Sequence, residues 1–175
     1  MKRTFFSLAL LLAVATLTAQ TKMTAREAAV KIADRILAST TYEFKNTKTG
    51  EIYKSVKKLP LDMDVKVACK YNNWHYTNGV TNMALMELGD KLGDKKYEKY
   101  VLKNMNFVFN EGNLDFFRKQ YDEAFKRDGW NAVRKLSWHM IFRGKRLDDN
   151  GPMGASLIEL QLKYCLLYTS DAADD

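Results

Sequence analysis

The sequence predicts an all-α domain built from successive helix hairpins, a chain that can wind into a toroid. Three observations carry this. Apolar residues recur at intervals of three and four in six separate segments, no segment shows a sustained alternation of apolar and polar residues, and only two of the 175 residues are proline. With 46% hydrophobic and 12% aromatic residues, the chain has material for one core.

The elements follow in order. Thr24-Ala25-Arg26-Glu27 reads as a capping box, and Ala28, Ala29, Ile32, Ala33, Ile36 and Leu37 then share one face, predicting a first helix over 24–38. Residues 40–72 carry Asn46-Thr47-Lys48-Thr49-Gly50 and no sustained period, so a long irregular connection is expected there. After Gly79, the residues Val80, Met83, Ala84, Leu88 and Leu92 predict a second helix ending at Gly93. Asp94 is placed to cap a third, marked by Tyr97, Tyr100, Val101, Met105 and Val108. Asn110-Glu111-Gly112-Asn113 breaks that run. A fourth helix is expected over Leu114–Lys126, with Phe117, Tyr121 and Phe125 packed as core and Asp128-Gly129 ending it. A fifth is expected over Val133–Phe142, then a turn bearing Asp148-Asp149, then a sixth over Met153–Tyr164 with Pro152 at its start.

Both ends are set apart from this domain. Lys2 and Arg3 form a basic region, Phe5–Ala15 an apolar one, and the small residues near Thr18-Ala19 suit cleavage before Gln20. Residues 1–19 therefore read as a signal peptide and the mature chain as exported, periplasmic and without a membrane span. Residues 165–175, Cys165-Leu166-Leu167-Tyr168-Thr169-Ser170-Asp171-Ala172-Ala173-Asp174-Asp175, are similar to translated read-through of a transposase sequencing adapter. The authentic sequence is thus expected to end at Tyr164, the domain occupying 20–164 as part of a longer product.

The formal net charge is +7, and it rises to +8 once Lys2, Arg3, Asp171, Asp174 and Asp175 are set aside. That balance suits an anionic partner, and an acidic sugar fits it. The lysines are scattered through helical patterns without a nucleic-acid-binding motif, so no nucleic-acid partner is expected. Cys69 has no internal partner once Cys165 is excluded and reads as a small buried hydrophobe. His75 and His139 lack metal-ligand spacing, and neither a metal nor another cofactor is expected.

Two motifs carry chemistry. Asn73-Trp74-His75-Tyr76-Thr77-Asn78-Gly79-Val80 sets two aromatics, an imidazole and two amides against a glycine. Such a set can build a sugar platform, with Gly79 admitting close approach of backbone to a ligand; a buried Trp and Tyr capping a helix-to-helix corner is the other reading, and it stays open on this motif alone. Arg146-Leu147-Asp148-Asp149-Asn150-Gly151-Pro152-Met153-Gly154-Ala155 sets two carboxylates side by side. One suffices as a helix cap, and mutual repulsion raises the pKa of one of a pair towards the range a general acid needs.

In this order the two motifs, with Leu92-Gly93-Asp94-Lys95-Lys96-Tyr97 between them, resemble the unsaturated rhamnogalacturonyl hydrolases, glycoside hydrolase family 105, and more distantly the unsaturated glucuronyl hydrolases of family 88. The matching residues are Trp74, His75, Tyr76, Gly79 and Val80, then Asp149 with Gly154 five positions on, and the resemblance runs from about Ala25 to Tyr164. It implies an (α/α)6 barrel, of which these residues supply less than half. It also implies release of a 4,5-unsaturated uronic acid from oligosaccharides left by a polysaccharide lyase, as in pectin degradation. A carboxylic acid protonates C4 of the double bond, water adds at C5, and the hemiketal collapses, with no cofactor. By the same resemblance Trp74, His75 and Tyr76 line the unsaturated-sugar subsite. Asp149, or alternatively Asp148, is the catalytic carboxylate of this part, and the main general acid lies on a later helix. Two other readings stay open: a glucuronyl hydrolase acting on glycosaminoglycan fragments, and a non-catalytic helical carbohydrate-binding or scaffold protein.

Overall fold

A computed structural model describes residues 23–145 and 147–164, for Asp149 the backbone alone. The expected signal peptide and the adapter-like tail lie outside the described residues. Among the described residues are six helices: α1 (Ala25–Ser39), α2 (Tyr76–Leu92), α3 (Lys96–Val108), α4 (Glu111–Val133), α5 (His139–Arg143) and α6 (Leu147–Tyr164). The protein is mostly helical, as expected.

The chain divides at Ile32 into two compact units. The first holds the start of α1, where the capping box forms as read: the Glu27 N–H donates to Thr24 Oγ1 at 3.2 Å, and the Thr24 N–H donates to Glu27 Oε2 at 2.8 Å. The second unit holds all the rest, including the remainder of α1, which is tied to α3 by Asp34. Its carboxylate accepts from Tyr97 Oη at 2.9 Å and faces Lys96 Nζ at 2.9 Å. Those bonds, the one from Lys96 foremost, hold the Asp34 carboxyl below its ordinary value.

The connection before α2 is not irregular. It contains strands β1 (Phe44–Asn46), β2 (Ile52–Tyr53) and β3 (Val65–Val67), antiparallel in the order β2-β1-β3, with 3₁₀ turns at Val56–Lys58 and Lys70–Asn72. In β1, Phe44 and Asn46 point inward while Lys45 faces solvent. Asn46 closes the hairpin by accepting the N–H groups of Lys48 and Thr49, and Gly50 takes φ +81°. The fully buried Gln120 of α4 fastens β3 by donating to Val65 O at 2.9 Å.

Core packing centres on four rings in a closed circuit. Phe44 lies 5.4 Å from Phe107, Phe107 5.7 Å from Trp138, Trp138 4.6 Å from Phe117, and Phe117 5.8 Å from Phe44. This joins β1, α3, α4 and the turn before α5, and it explains the failure of the helix expected over Val133–Phe142. Trp138 sits at φ 56°, a left-handed conformation that costs a non-glycine residue about 1–3 kcal/mol. Its burial in the ring cluster offsets that, together with a bond from its indole N–H to Asn72 O at 2.8 Å. Beyond Val133, the last residue of the preceding helix, only His139–Arg143 is helical there.

Three other boundaries differ from expectation. Helix α4 starts at Glu111 because Asn110 caps it, its Oδ1 accepting from the Asn113 N–H at 3.3 Å. It resumes after a break at Asp128-Gly129 and runs to Val133. The stripe expected on it is graded, with Phe117 buried and Phe125 exposed. Helix α6 begins at Leu147, so Asp148 and Asp149 lie in its first turn and Pro152 lies inside it. Helix α2 begins at Tyr76, three residues before Gly79. The start of α3, by contrast, follows its sequence signal: Asp94 Oδ1 accepts from the Lys96 N–H at 3.0 Å.

The pairing that matters most for function is α2 with α6. A Cβ on Gly79 would lie 2.3 Å from the carbonyl carbon of Pro152 and 2.4 Å from Met153 N, so the backbones nearly touch there. Eleven residues further along each helix, Lys163 Nζ meets Asp90 at 2.8 Å. The contacts advance together along both helices, which therefore run parallel.

Three outcomes are expected. Gly79→Ala forces these backbones apart and should cost about 3 kcal/mol, the upper end for overpacking. Gly154→Ala meets nothing within 4 Å and should add about 0.5–1 kcal/mol of stability, both read from chemical denaturation. Because the folded-state pKa of Asp34 is lowered, its contribution is present above the ordinary carboxylate pKa and is lost as pH falls through the lowered value. Asp34→Asn should therefore flatten the acid limb of the stability–pH curve in that window, and an unchanged acid limb would contradict the role given to this bond.

Candidate functional site

Two segments separated by about seventy residues in the sequence meet at the start of the parallel pair. The aromatic motif enters α2 and the acidic motif forms the first turn of α6. The direct link is between Trp74 and Asn150: the indole N–H donates to Asn150 Oδ1 at 2.7 Å. A buried indole needs an acceptor for its N–H. Here the acceptor comes from the acidic motif itself, one position after Asp149.

Each aromatic residue has a different task. Trp74 is only 8% exposed, with its ring edge-on to Phe109 at 5.7 Å, so it is a strut and not the open stacking surface that the sequence suggested. Tyr76 is 47% exposed, and its ring lies 4.9 Å from that of His75, also exposed. These two, and not Trp74, present the open surface. Gly79 also has a different role from the one expected. It admits the backbone of α6, not a ligand.

His75 is the N-cap of α2, with extended backbone, and its side chain accepts from the Thr77 N–H at 3.4 Å. Nδ1 also lies 2.9 Å from Thr77 Oγ1. An Nδ1 that accepts the backbone N–H carries no proton, which assigns the neutral ring its proton at Nε2. Asn78, buried inside the first turn, donates through Nδ2 to Lys70 O at 2.8 Å and Asn73 O at 2.7 Å, locking the 3₁₀ turn that delivers Trp74.

On the other side, Asp148 is exposed at the second position of α6, not at its cap. Asp149 follows in the same turn. Its side chain, like Arg146, lies outside the described residues. The amino ends of two parallel helices thus lie together, and each carries partial positive charge from its unsatisfied N–H groups. Such a place favours anions, whether the protein's own carboxylates or a ligand's. Inside α6, Pro152 offers no N–H to the carbonyl of Asp148, four residues earlier.

Sequence reasoning found both motifs but gave Asn150, which lies in one of them, no role and missed Phe109; these are the residues that fix Trp74. The available signal was the indole itself, which once buried requires an acceptor. Cys69 is buried and free, as read. Neither a protein-family model nor a curated protein matches the chain.

Trp74→Phe keeps most of the ring and removes the donor, so it should cost about 1 kcal/mol in urea denaturation, the net worth of one hydrogen bond. It should also loosen the first turn of α6, read as faster amide hydrogen exchange at Gly151 and Met153. Unchanged exchange there would show that this bond does not hold the two motifs together.

Proposed function

We propose that the chain belongs to a hydrolase that releases a 4,5-unsaturated uronic acid from lyase-generated rhamnogalacturonan oligosaccharides, and that α2 and α6 are neighbouring inner helices of an (α/α)6 toroid. The observation that carries this reading is the Trp74–Asn150 hydrogen bond of 2.7 Å, which brings the two motifs of the resemblance to one place. Three features support it further. The paired helix amino ends suit the carboxylate of a uronic acid. The exposed rings of His75 and Tyr76 give a sugar an amphipathic shelf with polar handles. Helix α6 carries Leu147, Ala155, Ile158 and Leu162 at its surface, a face on which further helices of a toroid would pack.

On this reading Tyr76 and the Nε2–H of His75 hold the unsaturated sugar, and Asp149 is the supporting carboxylate that positions it. The proton for C4 comes from an acid on a later helix. Water then adds at C5, and the hemiketal opens to free the neighbouring sugar. Asp148, in the same turn, serves the helix dipole.

Binding is tested directly with an unsaturated rhamnogalacturonan disaccharide, followed by tryptophan fluorescence or calorimetry. Tyr76→Ala should weaken it about tenfold, equivalent to 1.4 kcal/mol. In a form of the protein that turns the disaccharide over, loss of the double-bond absorbance gives the rate. Asp149→Asn should lower that rate by on the order of 10²-fold, as for a positioned acid–base partner, with Asp148→Asn close to the parent. The opposite pattern would move the assignment by one residue. Loss from neither would overturn the hydrolase reading of this motif.

A further inference from the structure

A second cleft, of about 480 Å³, lies away from the residues of the candidate site, between the strap that follows β2 and the carboxyl end of α3. Its volume falls in the usual range for small-molecule sites. Lys54 and Lys57 come from the strap, Lys103 and Asn106 from α3, and Tyr42 and Phe107 form part of the wall. Among the described residues no carboxylate lines it.

Most described lysines face no carboxylate; what sets these three apart is that they share one cleft. Lys91, Lys96, Lys119, Lys126 and Lys163 each face a carboxylate within 4 Å. Among the described residues no carboxylate pairs with Lys54, Lys57 or Lys103, and Lys103 Nζ lies instead over the Tyr42 ring at 4.2 Å. Three cations on two walls of one cleft, without counter-charge, make a site for a multiply anionic ligand. The aromatic surfaces argue against nucleic acid, which stacks bases on open rings. One face of Tyr42 is covered by Lys103, and Phe107 is packed against Phe44 and Trp138. What remains open is amide and hydroxyl chemistry from Asn106 and Ser55, suited to a ring bearing hydroxyl groups.

We infer that this cleft binds the acidic part of a uronate-containing oligosaccharide, its carboxylates paired with Lys54, Lys57 and Lys103. The inference rests on the proposed acidic-sugar function and names a second point of substrate contact, distinct from His75, Tyr76 and Asp149.

The test is calorimetric titration of the full chain with trigalacturonate, with maltotriose as the neutral counterpart and inorganic phosphate as the simple anion. Trigalacturonate should bind, with affinity falling as salt rises, and maltotriose should not. Lys54→Gln/Lys103→Gln should weaken trigalacturonate at least tenfold, while Tyr76→Ala leaves that binding within twofold. Both lysines are exposed, so the double variant should keep the parent's circular dichroism. Phosphate binding as tightly through the same lysines would overturn the saccharide assignment. Trigalacturonate binding that survives the lysine changes but is lost in Tyr76→Ala would overturn the second site and leave the proposed function intact. Absence of trigalacturonate binding would overturn the inference, while the unsaturated disaccharide assay judges the hydrolase reading separately.

Discussion

The close parallel approach of α2 and α6 is the constraint on which the candidate site depends. A glycine in the first turn of α2 removes the side chain that would otherwise hold the helices apart, and the backbone of Pro152 and Met153 takes that space. Interhelical distances are ordinarily about 8–10 Å and are set by the side chains at the contact, so a glycine at the crossing brings the axes closer. With the crossing fixed near the amino ends, those ends cannot diverge. His75, Tyr76 and the first turn of α6 share one location because Gly79 is small.

The second support is polar. Trp74 is too large to leave exposed beside the crossing and too polar to bury without an acceptor, and Asn150 meets that need. Around it a set of asparagines does repeated work. Asn72 and Asn73 take the indole and backbone N–H groups of Trp138, and Asn78 binds two carbonyls of the preceding turn. Buried networks of this kind specify a single arrangement because a misplaced member leaves desolvated groups unpaired. The motif is therefore rigid where it touches the core and open at His75, Tyr76, Thr77 and Val80.

Much of the fold was legible because local chemistry and global packing agree. Thr24, Asp94 and Asn110 sit before helices with side-chain oxygens that take the first N–H groups, and Gly93 closes α2 at φ +67°. The three strands were hidden because segments of three, two and three residues are too short to show an alternation. The helix expected over Val133–Phe142 was lost to tertiary demand, since the ring cluster requires Trp138 in a left-handed conformation that no helix accommodates. Within the site, sequence identified the right segments, left Trp74 open between platform and buried corner, and misjudged Gly79. Trp74 and Gly79 have the composition of a sugar platform, but a ring or a glycine beside a helix start serves packing equally well. Only the partner across the interface decides, and Asn150 and Pro152 lie more than seventy positions away.

We propose that a single sugar site spans both helix amino ends. An amide NMR titration of the protein with an unsaturated rhamnogalacturonan disaccharide tests this most directly, since it reports each backbone position at once. The expected result is shifts concentrated at residues 74–79 and 147–152, saturating with a single dissociation constant. Shifts in only one of these segments, or saturation of the two at different concentrations, would contradict it.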